Sequence, residues 1–363
     1  MSEATARRVV TWVPAAAAIV VLAIFPVIWG GFFTSTVGMR SMWLGIAAAS
    51  LIFLASYGGL VSLGQTALYG VAGFTMANVV ASEGGAQHNH LFGLDLGDNW
   101  NPWWGVLAGI VVATLVGLFV GAIAARSEGI YFLMLTLAIG VLVYYLFAQI
   151  EPLSGFGGVN RVPAPGIVGD PVSDPDSLYY TALICSAFVY GLIRYVARTP
   201  FGLTLQGIRD DPGRMRSLGY NVALHRACAF ALGAFIAAIA GVLSVWYNTQ
   251  ISPGSVDLIR TINVLAIAVV GGLYRLEGAW VGAFAFTLID YAIHRWLGTF
   301  HVLGNSFNGV ERFETWFGII FLAIVLISPG GLMGLWASLE NVVLRALSRA
   351  GPAGPREPAV EQQ

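Results

Sequence analysis

Lysine is absent from this chain of 363 residues, and all 18 of its basic side chains are arginine. A Walker-type phosphate-binding loop needs a lysine on the terminal phosphates of the nucleotide. The chain lacks that lysine, so any ATP used with it must be bound by another polypeptide. Cysteine is scarce as well: Cys185 and Cys228 both lie in apolar stretches, which excludes a disulfide framework and the ligand spacing of a zinc site.

Charged residues make up only 10% of the chain, against roughly 25% in a soluble domain. So few ions cannot cover a water-facing surface, which excludes a soluble single-domain protein and a disordered one. The formal net charge of −1 provides no basic field, so no nucleic-acid partner is expected. What the chain has instead is 57% hydrophobic residues, 45 Gly, 11 Trp and a mean hydropathy of +0.76, which are typical of membrane helices and their interfacial aromatics.

Apolar runs long enough to cross a bilayer, about 20 residues each, recur along the sequence. They predict an all-α polytopic membrane protein with about ten transmembrane helices, of which the segment at 262–274 is short and either tilted or broken. The predicted helices cover 12–29, 42–57, 60–81, 103–125, 130–150, 177–197, 227–247, 262–274, 278–297 and 315–334. The expected organisation is an N-terminal tail at 1–11, a transmembrane domain at 12–336 and a partly disordered, Pro-rich tail at 337–363.

The arginines set the orientation, because cytoplasmic loops are enriched in basic residues. With both termini in the cytoplasm, every arginine falls on the inner side except Arg40, Arg161, Arg260, Arg295 and Arg312. An odd number of helices would place the basic C-terminal tail outside. The sequence therefore favours an even number of helices, with both tails cytoplasmic.

The longest inner loop, 198–226, carries more arginine than topology requires. Asp211 followed by Pro212 predicts a helix N-cap and a favoured first helical residue, and Gly219 is a natural C-terminal stop. The interval predicts a helix of about two turns.

Apolar residues three positions apart, Met215 with Leu218 and Leu205 with Ile208, make the same loop an amphipathic hairpin on the inner membrane face. Two interpretations fit such a hairpin. It binds anionic lipid at the interface, or it docks its apolar face into a groove on a cytoplasmic protein.

The strings GIRDD and LGYNV in this loop resemble the cytoplasmic signature of permeases in the branched-chain amino acid ABC transporter family, and the LivM-type subunit most closely. The family usually has small residues where this chain has Arg214 and Met215. Further matches follow in the family's order: YGGLVSLGQTALYGVAGFTMA at 57–77, GIYFLMLTLA at 129–138, VVGGLYRLEGAWVGA at 269–283 and SPGGLMGL at 328–335. Each string alone is weak, but together they make chance agreement improbable. The resemblance covers roughly residues 42–336.

This resemblance implies an ABC importer permease fold in a bacterial plasma (inner) membrane, with the loop 198–226 as the contact to a separate ATPase. Mapped onto this chain, the ATPase-coupling role falls to Gly207, Ile208, Arg209, Asp210, Asp211, Arg214, Met215, Leu218 and Gly219. The implied partners are a homologous second permease subunit, two ABC ATPase subunits, an extracytoplasmic solute-binding protein and membrane lipid. No cofactor is expected in this chain, since ATP and Mg²⁺ would be used by the ATPase subunits, and no enzymatic activity is expected of it.

The implied solutes are the branched-chain amino acids leucine, isoleucine and valine. Urea and short-chain amide importers share the same strings and provide the alternative solutes. An intramembrane enzyme would require clustered ionisable residues on two or more helices, whereas only Asp290 lies inside an apolar run. A stand-alone channel or secondary transporter would leave the Arg-rich loop without a role.

Small residues recur at intervals of three or four along 57–77 and predict one helix face on which backbones approach closely. They are Gly58, Ser62, Thr66, Gly70, Gly73 and Ala77. Ser62, Gln65 and Thr66 carry polar groups that need partners at membrane depth. These groups either bond to neighbouring helices or line a polar route for a zwitterionic solute. Asn78 and Thr136 are weaker candidates for this route, since a threonine hydroxyl can also bond its own helix backbone.

The remaining ionisable residues favour structural roles. Asp290 is expected to pair with Arg295 or His294, with exposure to the cavity as the alternative. Glu277 is expected to form an ion pair with the nearby Arg275 or to interact with a helix dipole. His88 and His90 lie in a polar loop without cysteine and are interpreted as surface histidines.

Overall fold

The computed structural model describes residues 22, 24–26, 28, 30–80, 90–91, 94–95, 101–127, 129–150, 153–154, 156–166, 168–169, 175–296, 299–302, 305–308, 313–328 and 330–336. The predicted tails at 1–11 and 337–363, and most of the predicted helix at 12–29, lie outside these residues.

Helices make up most of the described chain. They are α1 (Gly30–Gly58, with a π-helical stretch at Thr34–Met39), α2 (Gln65–Val80), α3 (Pro102–Ala124), α4 (Ile130–Gln149), α5 (Pro175–Arg198), α6 (Pro200–Asp210), α7 (Pro212–Ser217), α8 (Val222–Asn248), α9 (Leu258–Gly271), α10 (Gly278–Trp296) and α11 (Phe313–Ile327). Three antiparallel strand pairs join β1 (His90–Leu91) to β2 (Leu94–Asp95), β3 (Val159–Asn160) to β4 (Gln250–Ile251) and β5 (Thr299–Val302) to β6 (Asn305–Asn308). In the second pair, Val159 lies opposite Ile251 and Asn160 opposite Gln250.

Two helices, α1 and α8, form the centre of the bundle. The most apolar stretch of each is 94% and 78% buried, whereas those of α3, α4, α5 and α11 are only 12% to 28% buried. α8 packs against α1, α2 and α3, and α10 packs against α1. The peripheral helices thus turn long apolar faces outward, which suits contact with lipid or with another membrane protein.

Seven helices among the described residues are long and apolar enough to cross a membrane. The expected helical membrane architecture is therefore present, but the predicted number of ten spans is not confirmed. One of the missing spans, 12–29, lies mostly outside the described residues. The helix α2 has only 16 residues, and α10 carries Asp290, His294 and Arg295, which reduce its hydropathy.

The predicted helix at 60–81 is wrong at its beginning, because the chain breaks between α1 and α2. Gly59 ends α1 in the left-handed conformation, with φ of +66°. The Leu60 N–H then donates to the Leu54 carbonyl oxygen at 3.0 Å, which closes the helix end. Helical structure resumes only at Gln65.

Small residues allow the segment between α8 and α9 to lie directly against α2. A Cβ atom added at Gly70 would lie 1.9 Å from Val256 Cγ1, and one at Gly73 would lie 2.5 Å from Ile251 Cδ1. The predicted close packing is confirmed at these two glycines. Ser62 lies outside α2, however, so the predicted strip of small residues does not continue across the break.

Candidate functional site

Two short helices, α6 and α7, lie at one end of the bundle, which we call the loop end. The helix α6 begins after Thr199, whose Oγ1 accepts a hydrogen bond from the Gly202 N–H at 3.4 Å. The helix α7 begins after Asp211, whose Oδ1 accepts from the Arg214 N–H at 2.9 Å. Proline occupies the first position of both helices, where a missing N–H has no helical partner to lose. The N-cap predicted at Asp211 is therefore confirmed.

The C-terminal stop predicted at Gly219 is also present. This glycine has φ of +88°, the Gly219 N–H donates to the Arg216 carbonyl oxygen at 3.0 Å, and the Tyr220 N–H donates to the Met215 carbonyl oxygen at 3.1 Å. The helix covers Pro212–Ser217, six residues, slightly less than the two turns predicted. A rigid, capped element therefore occupies the middle of the loop.

Part of the predicted coupling set is turned inward. Ile208 is fully buried together with Leu205, so it offers no surface to a partner and its predicted contact role is not supported by this geometry. Gly207 lies under Met215, since a Cβ atom added at Gly207 would be 3.0 Å from the Met215 sulfur. These residues pack α6 against the bundle and against α7.

The other predicted coupling residues, apart from the half-buried Met215, are exposed at the loop end: Arg209, Asp210, Asp211, Arg214, Leu218 and Gly219. The side chains of Leu218, Tyr220 and Leu224 are 64%, 44% and 56% exposed. Together with the exposed Arg214 and Arg216 they form what we call the loop surface. Apolar side chains beside fixed positive charge suit a groove on another protein.

Arg209 is the residue that joins the loop to the bundle. Its Nη1 donates to the carbonyl oxygen of Ser56 near the end of α1, and its Nε donates to Asp210 Oδ1 at 2.9 Å. The Arg209 side chain lies over Gly59, where an added Cβ would be 2.7 Å from Arg209 Cγ. Ser56 Oγ in turn donates to the carbonyl oxygen of Leu273 at 2.7 Å. The helix α6, the end of α1 and the turn between α9 and α10 therefore meet at Ser56.

A charged cluster holds α5 to the same turn. Tyr190 Oη donates to Glu277 Oε1 at 2.9 Å, and Arg194 forms an ion pair with the same carboxylate. Burial acts to raise the pKa of Glu277, but its backbone hydrogen bond, the Arg194 charge and the Tyr190 hydroxyl together hold that pKa below its ordinary value. The ion pair expected for Glu277 thus exists, with Arg194 instead of Arg275.

Polar residues predicted for the solute route surround the break after α1. Ser62 is fully buried and its Oγ accepts from the Gly64 N–H at 3.2 Å. Thr136, from α4, accepts from the Leu63 N–H at 3.2 Å and donates to the Leu133 carbonyl oxygen at 3.0 Å. Thr136 therefore bonds both its own helix and the break, and holds the non-helical backbone in place.

Two further predicted residues bond to neighbouring elements. Thr66 Oγ1 lies 2.5 Å from Thr261 Oγ1 in α9. Since the Thr261 hydroxyl donates to the Asp257 carbonyl oxygen at 3.1 Å, the Thr66 hydroxyl is the donor between the two threonines. Asn78 Nδ2 donates to the carbonyl oxygen of Leu153 at 2.6 Å. The Thr66 hydroxyl and the Asn78 amide nitrogen therefore have partners within the protein.

Gln65 differs from the other four. Its side chain is 2% exposed, and neither Oε1 nor Nε2 has a hydrogen-bond partner in the part of the chain that the structure describes. The oxygen lies toward α8, 3.5 Å from where a Cβ atom at Gly233 would be. A buried polar group without a partner costs roughly 1–3 kcal/mol. Gln65 therefore favours any arrangement that supplies its amide with a partner.

A cavity of about 330 Å³ lies between α4 and the beginning of α9. Its walls are largely apolar, with aliphatic side chains from α4 and α9 and the rings of Tyr144 and Tyr145, while Asp257 and Thr261 add polar groups. Sequence reasoning missed this cavity. The available signal was the carboxylate of Asp257, which lies a few residues before the predicted helix at 262–274, a helix too short for a simple span.

Asp290 is paired, as expected, although its main partner was not foreseen. The carboxylate is buried in α10 and forms an ion pair with Arg40 of α1. His294 Nδ1 lies 3.4 Å from the same carboxylate, which agrees with one predicted partner. Arg295 donates instead to Tyr291 Oη at 3.4 Å. Arg40, expected in an outer loop, lies within α1.

The comparison with known families decides the class of this protein. Residues 33–329 match the family model of the permease component of the branched-chain amino acid transport system. The chain belongs to this family. It is therefore a multi-pass membrane protein, in agreement with its apolar helices.

Individual permeases are similar to the chain at low identity. The high-affinity branched-chain amino acid transport system permease protein LivM of Salmonella typhimurium is 28% identical over 239 residues, which cover 59% of this chain and 53% of the relative. The probable branched-chain amino acid transport permease protein LivH of Methanocaldococcus jannaschii is 25% identical over 64% of this chain and 67% of the relative. The galactose/methyl galactoside import permease protein MglC of Salmonella typhimurium is 26% identical over 61% of this chain and 65% of the relative.

The chain thus spans about half the length of the LivM proteins of Salmonella typhimurium and Escherichia coli. Permeases named for amino acids and for a sugar are similar to it at nearly equal identity. No solved structure matches the chain. Among the described residues, no group of three His, Cys, Asp or Glu side chains lies close enough together to hold a metal ion.

Proposed function

We propose that this chain is the membrane-spanning subunit of an ATP-driven ABC importer for the branched-chain amino acids leucine, isoleucine and valine. In this proposal it forms the solute pathway with a homologous second permease subunit and receives solute from an extracytoplasmic binding protein. Two separate ATPase subunits bind ATP and Mg²⁺, since this chain lacks the lysine of a phosphate-binding loop. Both termini and the loop surface face the cytoplasm of a bacterium.

The observation that carries the proposal is the connection from the loop surface to the bundle through Arg209. The exposed side is suited to docking, and the other side is bonded to Ser56 at the end of α1. Six residues without helical structure follow α1, and such a break can absorb the backbone rotation of a hinge. A displacement of α6 and α7 by an ATPase would therefore act on α1 beside its break.

The turn between α9 and α10 extends this connection. It bonds to Ser56 through Leu273 and to α5 through Glu277. Motion at the loop end therefore reaches α9, whose other end lines the cavity. Because that cavity is mostly apolar, a branched-chain solute gains burial of apolar surface there, whereas urea or a short-chain amide gains little.

Reconstituted vesicles test the function. The purified chain is combined with its second permease, the ATPases and the binding protein, and uptake of labelled leucine and labelled urea is measured with and without ATP. We expect leucine uptake that requires ATP. Uptake without ATP, or uptake of urea but not of leucine, would contradict the proposal.

The loop surface is tested in the same vesicles. Reversing its charge with Arg214→Glu and Arg216→Glu should reduce ATPase association and leucine uptake by about tenfold or more, since like charges opposed across an interface cost several kcal/mol. The matched control is Arg295→Glu, an exposed arginine at the other end of α10. Equal effects of the two changes would assign no docking role to the loop surface.

Sidedness is tested by thiol labelling in a chain whose two cysteines are replaced by serine. Leu218→Cys, on the loop surface, should react with an impermeant maleimide only in opened cells. Phe156→Cys, 73% exposed in the segment before α5 and hence at the opposite end, should react in intact cells. Labelling of Leu218→Cys in sealed cells would overturn the proposed orientation.

A further inference from the structure

The cavity between α4 and α9 has the size and walls of a small-molecule site. Its volume of about 330 Å³ falls at the lower end of the range for such sites, about 300–1,000 Å³. Leu137 and Val141 lie one helical turn apart on α4 with Gly140 between them, and Tyr144 and Tyr145 follow in the next turn, so the wall is aliphatic at one end and aromatic at the other. Val256 and Ile259 face them from the other side of the cavity.

The carboxylate of Asp257 lies in this wall, and only one of its two oxygens has a partner among the described residues. Asp257 Oδ1 accepts from the Arg260 N–H at 2.8 Å, and this bond fixes the side chain at the beginning of α9. Within the described part of the chain, Asp257 Oδ2 has neither a hydrogen bond nor an ion pair. The Thr261 hydroxyl also lies in the wall, held by the Asp257 carbonyl oxygen and by Thr66.

The charges beside the cavity show what kind of space it opens into. Asp257 and Arg260 belong to the stretch Pro253–Gly271, which is long and apolar enough to cross a membrane. Ionised side chains at membrane depth avoid lipid and line polar or water-filled space. Val141 and Ile259, at the edge of the cavity, are 40% and 47% exposed, so the cavity opens on the lateral surface of the chain. A carboxylate beside this opening favours a polar passage there over acyl chains.

We propose that this cavity is a contact site for the transported solute, in which Asp257 accepts a hydrogen bond from the ammonium group and the aliphatic wall holds the side chain. The inference rests on the proposed function and adds the residues that select the solute. A free carboxylate oxygen attracts a cationic group, and the aliphatic wall favours a compact branched chain. A neutral amide or a sugar has no positive charge for the carboxylate to attract and no apolar surface to pack against the wall.

Filling the cavity tests its steric part in the reconstituted transporter. Val141→Trp places a large ring in the cavity, whereas Leu142→Trp, 61% exposed on the adjacent helix position and outside the cavity, is the matched control. We expect Val141→Trp to reduce leucine uptake by about tenfold or more, since even one methylene in an apolar pocket changes discrimination by roughly 10- to 200-fold. Equal uptake by the two variants would overturn the proposal.

Asp257→Asn tests the charge, because asparagine keeps the N-cap of α9 while removing the negative charge. The expected result is about a tenfold increase in the KM for leucine with little change in kcat or in ATPase stimulation by the binding protein. An unchanged KM would exclude a role for this carboxylate. A loss of kcat with an unchanged KM would assign it a structural role instead.

Accessibility provides a test that does not depend on bulky substitutions. In the chain with Cys185→Ser and Cys228→Ser, Val141→Cys should react with a small charged methanethiosulfonate, and turnover with leucine-loaded binding protein should slow that reaction. A failure of the unmodified transporter to take up leucine would refute the proposed function itself. Normal leucine uptake with an unreactive or unprotected Val141→Cys would refute only the assignment of this cavity.

Discussion

The Arg209 guanidinium donates a hydrogen bond to the backbone oxygen of Ser56, which connects a surface helix to the end of a central helix of the bundle. The two residues are 153 positions apart in the chain. Gly59 makes the contact possible, because any larger residue there would collide with the Arg209 side chain. The bond therefore depends on a loop, a helix end and a glycine being in place together.

Replacing Arg209 by alanine should weaken the coupling of the ATPases to transport more than it weakens their association with this chain. The lost charge-assisted hydrogen bond contributes roughly 1.5–3 kcal/mol, so we expect ATP-driven leucine uptake to decrease by about tenfold or more. ATPase association should change little, since the Arg209 guanidinium is bonded to Ser56 and Asp210 and is not part of the loop surface. Uptake and co-purification of the ATPases, measured on the same preparation, separate the two effects.

Arg216→Ala is the control for Arg209→Ala, because Arg216 is exposed on the loop surface and follows in the next helix. Arg216→Ala should reduce ATPase association more than it reduces uptake per assembled complex. If Arg209→Ala lost ATPase association to the same extent as Arg216→Ala while uptake per assembled complex stayed normal, Arg209 would be a docking residue and not a link to α1.

Gly59→Ala should destabilise the protein more than Gly219→Ala. Both glycines end a helix at positive φ, so each substitution carries a backbone cost of roughly 1–2 kcal/mol. At Gly219 nothing lies within 4 Å of an added Cβ, whereas at Gly59 the Arg209 Cγ would be 2.7 Å away. We expect a larger decrease in thermal unfolding temperature for Gly59→Ala, measured in detergent, and a recovery of part of it in Gly59→Ala combined with Arg209→Ala. No difference between the two glycines would place Arg209 away from Gly59.

Local patterns in the sequence predicted what local interactions decide. Asp211, Pro212 and Gly219 begin and end α7 because caps depend on residues within one turn. A break between 57 and 60 was predicted, but its extension to Gly64 was not, since residues 60–64 are apolar enough to continue a transmembrane helix. The cavity was also hidden, because its walls come from α4 and α9, whose contact no spacing in the sequence reports.

The ion pair between Arg40 and Asp290 was likewise not predictable from local sequence patterns. The two residues are 250 positions apart, so sequence proximity pointed to Arg295 and His294 instead. Burial decides how this pair responds to mutation: its side chains are only 24% and 12% exposed. Removing one partner leaves the other charge buried without its ion-pair partner.

We expect Asp290→Leu or Arg40→Met alone to cost roughly 3–5 kcal/mol of stability, and Arg40→Met with Asp290→Leu to be nearly neutral, because a buried pair offsets its own desolvation only while both partners remain. Thermal unfolding of the single and double variants gives the coupling energy directly. Additive losses in the double variant would indicate that the two residues act independently.

The cluster at Glu277 predicts a dependence of stability on pH. Its pKa lies below the ordinary carboxyl value of 4.5, so the folded state favours the ionised form. The resulting stabilisation is fully present above pH 4.5 and is lost as the pH falls through the lowered pKa of the folded protein. Glu277→Gln should therefore unfold at a lower temperature than the unmodified chain at pH 7, and the difference should shrink as the pH falls below about 4.5. Asp176→Asn, an exposed carboxylate in the first turn of α5, should show a smaller difference at pH 7. A difference for Glu277→Gln that stays constant from pH 7 down to the acid transition would mean that the ion pair with Arg194 does not stabilise the fold.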